Sequence, residues 1–158
     1  MLCDVFVEHF GEQATLDIVT SGPIHWDHPS ITIHHGLTPG DPELRRLYQN
    51  ADIFALPTQA DLSPWVCLEA MACKLPIIAS NVGGVGDMVD GGVTGLLVSP
   101  GDPAELQQAL ARLIVDAPLR LSMGAAGRAR IERDFDASIN VPRILAVMKE
   151  ACIRRSLI

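Results

Sequence analysis

Length, composition and charge restrict the kinds of protein that this sequence can encode. A chain of 158 residues is long enough for one domain with a single hydrophobic core and too short for two sizeable domains. Its 12 Lys and Arg against 19 Asp and Glu give a net charge of -7, which argues against a nucleic-acid surface and a basic membrane anchor. With 48% hydrophobic but only 4% aromatic residues, the core must consist of Ala, Val, Leu and Ile, as in sheets covered by helices.

The cysteines and the N-terminal residues predict the cellular compartment of the protein. The four cysteines lack the close spacing and density of a secreted disulfide scaffold: Cys3, Cys67, Cys73 and Cys152. The first residues carry acids where a signal peptide needs a basic start, and no apolar stretch reaches the roughly 20 residues of a membrane span. We therefore expect reduced thiols, no transmembrane segment and a cytoplasmic location.

Strands and helices alternate along the first part of the chain. Residues 2–10 resemble the end of a helix and lead to a β-type run at 14–23. An alternating strand is expected at 30–36, and Asp41 and Pro42 suit the N-cap and first turn of a helix. This order predicts that the chain begins partway through an α/β architecture.

The middle of the chain continues this alternation. The apolar run at 52–58 predicts a strand buried on both faces, followed by a helix with Ser63 as N-cap and Pro64 in its first turn. Further strands are expected at 76–81 and 94–98, separated by a glycine-rich segment with a short helix. Strands that alternate with helices predict a parallel, doubly wound sheet, which binds ligands at the carboxyl ends of its strands.

Helices are predicted for the rest of the chain. Asp102 and Glu105 form a capping pattern before a helix with apolar residues at helical spacing. After Pro118 the sequence predicts helix to the end of the chain, apart from a break at 134–142. The stretch from about residue 137 to residue 158 is expected to be the C-terminal helix.

Two carboxylates, Asp61 and Glu69, lie beside the predicted helix start. The loop at 57–64 joins a strand's carboxyl end to a helix N-terminus, where backbone N–H groups and the helix dipole favour an anion such as phosphate. Glu69 is about 9 Å further along the helix at about 1.5 Å per residue, within reach of a ribose diol beside that phosphate. Its neighbours are apolar, so we expect it to be buried and to need a polar partner.

The stretch from residue 61 to residue 102 resembles a known family. Two acids with seven residues between them are followed by a small-residue run, a Pro-led strand and a glycine-rich series. The residues at the family's positions are Asp61, Glu69, Gly83, Gly84, Asp87, Thr94, Gly95 and Leu96. From about residue 15 to about residue 136, the sequence is similar to the nucleotide-binding half of family 4 (group 1) retaining glycosyltransferases, which have the GT-B fold.

This resemblance implies a role for individual residues. It assigns Asp61, as the acid of the catalytic site, to the donor sugar and Glu69 to the ribose of the nucleotide. The other expected donor contacts lie on the same loop and after an earlier strand: Leu62, Ser63, Pro64, Gly36 and Leu37. The implied substrate is a UDP- or GDP-linked hexose, transferred with retention of configuration, with no tightly bound cofactor and no metal required.

The resemblance also implies parts that this chain lacks. The family's enzymes have an N-terminal acceptor domain, and an Arg and a Lys that neutralise the donor diphosphate, whereas no Lys or Arg precedes Arg45 here. We expect a single donor domain that lacks its first strand and is inactive alone. An unpaired sheet edge and an apolar stripe at 143–153 would then favour a homodimer.

Other interpretations stay open beside this one. The chain could be a non-catalytic nucleotide-binding module or a folded remnant of a truncated glycosyltransferase, or another GT-B-like enzyme such as an epimerase or a phosphorylase. A metal site among His25, His28, His34 and His35 is less favoured, because loop histidines without a second ligand pair are usually solvated. An NAD site at 83–88 is less favoured because the glycine spacing is incomplete.

Overall fold

Parallel strands alternate with helices along residues 1–155, the part of the chain that the computed structural model describes. A π-helical segment, Ile131–Phe135, follows the sixth helix. In chain order the other elements are α1 (Leu2–Phe10), β1 (Leu16–Thr20), β2 (Ile31–His35), α2 (Pro42–Asn50), β3 (Phe54–Leu56), α3 (Trp65–Ala72), β4 (Ile77–Ser80), α4 (Val85–Met88), β5 (Gly95–Val98), α5 (Pro103–Val115), α6 (Ala117–Arg130) and α7 (Ala137–Arg155).

The strands form two parallel ladders. β1 pairs with β2, and β4 lies between β3 and β5, with Ile78 opposite Ala55 on one side and Leu96 on the other. Within the described residues, no ladder joins β1 to β3. Parallel ladders linked by helices are the pattern of a doubly wound α/β fold. The predicted α/β class with parallel strands is confirmed.

Helices cover both faces of the three-stranded ladder. Successive residues of β4 point to opposite faces, so Ile78 packs in one core cluster with α5 and α1, while Ile77 and Ala79 pack in a second cluster with α3. All four residues of β4 are therefore buried. The prediction that the strand at 52–58 is buried on both faces is wrong, because β3 is half-buried and has a ladder partner on one side only among the described residues.

Two predicted helix caps are confirmed. The Asp41 carboxylate accepts a hydrogen bond from the backbone N–H of Glu43 at 2.8 Å. The Asp102 carboxylate accepts from the backbone N–H groups of Ala104 and Glu105 at 2.9 and 3.0 Å. Each cap pairs N–H groups that the helix itself leaves without a partner, which explains why α2 and α5 begin where the sequence indicates.

The C-terminal helices are interrupted at Asp136, inside the predicted break. This residue has an extended backbone between the π-helical segment and α7. In the part of the chain that is described, α7 exposes large apolar side chains: Ile139, Val141, Ile144, Leu145, Val147, Met148 and Ile153. Residues 156–158 of the predicted C-terminal helix lie outside the described residues. No helix within residues 1–155 has both the length and the apolar character that a membrane span requires.

Candidate functional site

The loop from Pro57 to Pro64 follows β3 at the carboxyl edge of the three-stranded ladder. The Asp61 carboxylate accepts a hydrogen bond from the backbone N–H of Ser63 at 3.1 Å, an Asx-type turn that fixes the local backbone. The predicted Ser63 cap is wrong, because α3 begins at Trp65 and Pro64 takes the N-cap position. The turn at Asp61 extends the loop through Ser63. Because Ser63 precedes Pro64, its backbone is also disfavoured from the helical conformation.

A pair of glycines after β4 holds this loop in place. The backbone N–H of Gly84 donates to the carbonyl oxygen of Leu62 at 2.9 Å. A Cβ atom on Gly83 would collide with the carbonyl oxygen of Asp61, and Gly83 has a φ of +51°, in the region that favours glycine. The two residues therefore allow a backbone-to-backbone contact that a side chain would prevent.

An open cleft of about 480 Å³ lies between this loop and the turn after β4. The residues that line it are Gln59, Ala60, Asp61, Leu62, Val82 and Gly83. Leu62 is 86% exposed and extends into solvent at the edge of the loop. The lining supplies a carboxylate and an amide for polar contacts but contains no Lys or Arg among these residues. Sequence reasoning placed Asp61 and Leu62 here and missed Gln59 and Val82.

The N-terminus of α3 begins beside this cleft without a side-chain cap. Its first backbone N–H groups are those that a helix leaves without an internal partner, and the helix dipole adds partial positive charge at the same end. Pro64 is buried and Trp65 is 73% exposed. An anionic group of a ligand would be favoured here in place of the missing cap.

Glu69 lies on α3, in its second turn, and its side chain is exposed. The expectation that it is buried is wrong, because the helix turns this position away from the core that Cys67 and Met71 occupy. The expected polar partner is present within the chain: the Tyr48 hydroxyl donates to Glu69 Oε2 at 3.0 Å. The contact joins α2 to α3.

Tyr48 is half-buried in the last turns of α2. Its ring packs against Phe54 of β3, with 6.0 Å between the ring centroids. Burial, and then the hydrogen bond and negative charge of Glu69, raise the pKa of Tyr48 above its ordinary value of 10.0. Sequence reasoning missed this residue. The sequence did contain an indication: Tyr48 is the chain's single Tyr and lies on a predicted helix, where a partly buried Tyr needs a partner for its hydroxyl.

Gly36 and Leu37 follow β2, at the carboxyl end of the two-stranded ladder. Gly36 is exposed with a φ of +74°. Neither residue lines the cleft beside Asp61. Nearby, His34 Nε2 lies 2.7 Å from Asp17 Oδ1 on the neighbouring strand. Within residues 1–155, no group of three or more His, Cys, Asp or Glu side chains is arranged to hold a metal ion.

Solved structures with the same fold are glycosyltransferases of the GT-B type. Sucrose-phosphate synthase from Thermosynechococcus elongatus superposes with a TM-score of 0.80 at 25% identity, covering 96% of this chain and 42% of that one. HepE from Anabaena, solved in complex with UDP, superposes with a TM-score of 0.70 at 22% identity, covering 77% of this chain and 32% of that one. The fold is therefore a Rossmann-like domain of the GT-B architecture.

Sequence comparison leads to the same group of enzymes. The D-inositol 3-phosphate glycosyltransferase of Corynebacterium jeikeium is 44% identical over 89 residues, which are 56% of this chain and 21% of the relative. The chain thus spans about a fifth of the length of that relative. The family described as "Glycosyl transferases group 1" matches residues 29–130, well over half of the sequence. The chain belongs to the group 1 glycosyltransferase family.

Proposed function

We propose that this chain is the C-terminal, donor-binding domain of a family 4 glycosyltransferase, which moves a hexose from a UDP- or GDP-linked sugar with retention of configuration. The observation that carries the proposal is the unit formed by the loop at 57–64 and α3. An uncapped helix N-terminus and an exposed acid, Glu69, face solvent at the carboxyl edge of a parallel sheet. Such edges bind nucleotides in doubly wound folds.

The ligand's parts are assigned along this edge. The diphosphate lies at the N-terminus of α3, beside Ser63 and Pro64, where backbone N–H groups and the helix dipole stabilise negative charge. Asp61 has one carboxylate oxygen in its turn and a second for a hydroxyl of the sugar, with Leu62 at its side. Glu69 accepts hydrogen bonds from the ribose. That HepE, which shares this fold, was solved in complex with UDP supports a nucleotide as the ligand.

The base is assigned to the turn after β2. Gly36 is exposed at the carboxyl end of its strand, and Leu37 follows it, half-buried. Backbone groups of this turn would meet the base edge. We further propose that the donor is bound without a metal or a tightly bound cofactor and that the protein acts in the cytoplasm. Nucleic acid is not proposed as a ligand, because the net charge of -7 would repel it.

Transfer is proposed to need the acceptor domain of a full-length enzyme, so the chain alone would be inactive. A departing diphosphate must be stabilised by cations or hydrogen-bond donors. The residues that line the cleft include no Lys or Arg, and none occurs before Arg45. The same observation favours the second candidate function, a non-catalytic nucleotide-binding module or folded remnant. Release of sugar from UDP-glucose by the chain alone would contradict both.

Calorimetric titration tests the donor site. UDP, GDP and ADP, with one UDP-sugar and one GDP-sugar, are titrated into the wild type and into Glu69→Ala. We expect one nucleotide series to bind to the wild type and to bind at least tenfold more weakly to the variant, since a hydrogen bond to a charged group is worth about 1.5–3 kcal/mol. Glu12→Ala, an exposed acid at the amino edge of β1, is the charge-matched control and should bind like the wild type.

Self-association is a further part of the proposal. The exposed apolar residues of α7, with Ile144, Val147 and Met148 among them, would be covered in a homodimer. Light scattering at micromolar concentration should report a mass above the 17.0 kDa of one chain. A monomeric mass for the wild type would refute this part and leave the donor site unaffected.

A further inference from the structure

We propose that Tyr48 is a positioning residue for ribose recognition: its hydroxyl holds the Glu69 carboxylate in the orientation that accepts the ribose hydroxyls. The inference rests on the proposed function, in which Glu69 meets the ribose of the donor. The contact that carries it is the hydrogen bond from the Tyr48 hydroxyl to Glu69 Oε2 at 3.0 Å.

The geometry leaves Glu69 able to bind a ligand. An ionised carboxylate has two oxygens and about four sites for hydrogen-bond donors. Tyr48 occupies one site on Oε2, so the other oxygen and the remaining sites can receive the two adjacent hydroxyls of a ribose. The Tyr48 hydroxyl and the two ribose hydroxyls are all donors, and the carboxylate has enough acceptor sites to receive all three at once.

Tyr48 matters because Glu69 is exposed. A solvated Glu on a helix samples several rotamers, and ordering its side chain on ligand binding has an entropic cost. A hydrogen bond from the neighbouring helix restricts these rotamers before the ligand arrives. Pre-organisation of this kind strengthens binding without adding a contact to the ligand.

Tyr48 is itself held firmly enough to serve this purpose. Its ring is half-buried and packs against Phe54, with 6.0 Å between the ring centroids. Its hydroxyl is protonated at neutral pH and can donate, and burial and the nearby Glu69 charge raise its pKa further. Strand β3 thereby holds the Tyr48 ring on α2, and the Tyr48 hydroxyl holds the proposed ligand-binding acid on α3.

The test uses a nucleotide with a ribose and one without its hydroxyls. Affinities for UDP and 2′,3′-dideoxy-UDP, and for the corresponding GDP pair, are measured by calorimetry on the wild type, Tyr48→Phe and Glu69→Ala. Phe keeps the ring contact with Phe54 and removes only the hydroxyl. The matched control is Ser138→Ala, which removes a hydroxyl that donates to the Asp136 carboxylate at 2.7 Å, at the start of α7.

The preference is the ratio of the affinity for the ribose nucleotide to the affinity for its dideoxy analogue. We expect Tyr48→Phe to reduce it about fivefold, the size of the cost of ordering one long side chain, and to leave dideoxynucleotide affinity unchanged. Ser138→Ala should leave both affinities unchanged. An equal loss for both nucleotides would show a structural role and overturn the inference, as would no change in the preference.

The outcomes separate this inference from the proposed function. If Glu69→Ala loses the ribose preference while Tyr48→Phe keeps it, Glu69 binds the ribose and only the inference about Tyr48 fails. If Glu69→Ala keeps the preference, or if no nucleotide binds to the wild type, the assignment of Glu69 fails and the inference fails with it.

Discussion

The three-stranded and the two-stranded ladder position different parts of the proposed ligand site, and these parts differ in how tightly the backbone is packed. At the end of β4, a fully buried strand, Gly83 and Gly84 pack their backbone against the loop that contains Asp61. At the end of β2, whose strand pair exposes Asp17 and Val19, a Cβ atom on Gly36 would meet no atom within 4 Å. The proposed sugar end is therefore held by main-chain contacts with the turn after a buried strand, whereas the proposed base end is not packed against neighbouring atoms at Gly36.

The same truncation, Ile to Ala, should lower the free energy of unfolding by very different amounts in the two ladders, and this is the largest expected effect. Ile78 in β4 is 0% exposed, so Ile78→Ala should lower the free energy of unfolding by about 4 kcal/mol through lost burial and a cavity. Ile18 in β1 is half-buried, and Ile18→Ala should cost about 1–2 kcal/mol. Urea denaturation measures both values, and equal losses would contradict the described difference in burial.

Glycine substitutions at the two ends of the site should differ as well. Gly83→Ala forces a Cβ atom against the Asp61 carbonyl and should cost about 2–4 kcal/mol of stability and weaken nucleotide binding. Gly36→Ala has a positive φ but open space, so it should cost about 1 kcal/mol. Thermal denaturation measures the stability of each variant, and calorimetry measures its nucleotide affinity. Equal stability and equal affinity of Gly83→Ala and Gly36→Ala would refute the close contact between Gly83 and the Asp61 carbonyl.

Tyr48 links the two ladders along the chain, since α2 lies between β2 and β3 in sequence and the Tyr48 ring packs on Phe54 of β3. Because the pKa of Tyr48 is raised above its ordinary 10.0, the folded state keeps the proton longer than the unfolded state. Its contribution to stability is complete below about pH 10 and is lost as the pH rises through the folded pKa.

The chain's single Tyr makes this effect measurable, because phenolate absorbance near 295 nm reports one group. In the folded protein we expect no absorbance change at a pH where free tyrosine ionises. Chemical denaturation between about pH 10 and 11 should show a falling stability that is absent in Tyr48→Phe. Titration of the folded chain with a midpoint at 10 would show that Tyr48 is neither buried nor paired.

The smallest expected effect is a gain in stability at the end of α3. Lys74 has a φ of +63°, and the N–H groups of Lys74 and Leu75 donate to the carbonyls of Met71 and Ala70, as in a Schellman motif. Lys74→Gly removes the strain of a left-handed backbone and should stabilise the chain by about 0.5–1 kcal/mol in urea. Lys149→Gly, on an exposed helical position, is the control and should destabilise by about 1 kcal/mol.

Features that depend on neighbouring residues in the chain could be predicted from the sequence. The caps at Asp41 and Asp102 use short-range hydrogen bonds, so residue type and spacing were enough to locate α2 and α5. The interruption at Asp136 was likewise placed within the predicted range. The turn at Asp61 is equally local, but the sequence does not reveal that its carboxylate binds the Ser63 N–H and moves the helix start to Trp65.

Features that depend on distant residues could not be predicted. The half-burial of β3 follows from which strands flank it, and the exposure of Glu69 from which helix face meets the core. The partner of Glu69 comes from another helix, and the contact of Gly83 with the Asp61 loop comes from another strand. A pattern of residue types contains no information about these pairings until the fold brings the elements together.

The contact between the glycine pair and the loop has a consequence for how such a site evolves. It is made by the carbonyl oxygens of Asp61 and Leu62, and carbonyl oxygens are the same in every residue type. The side chain of Leu62 can therefore be replaced without moving the loop, whereas the Asp61 side chain also holds the turn with Ser63, and Gly83 cannot be replaced. If the proposed sugar site is right, a lineage that keeps the two glycines can change the sugar it accepts by single substitutions at Leu62, on a scaffold that stays folded throughout.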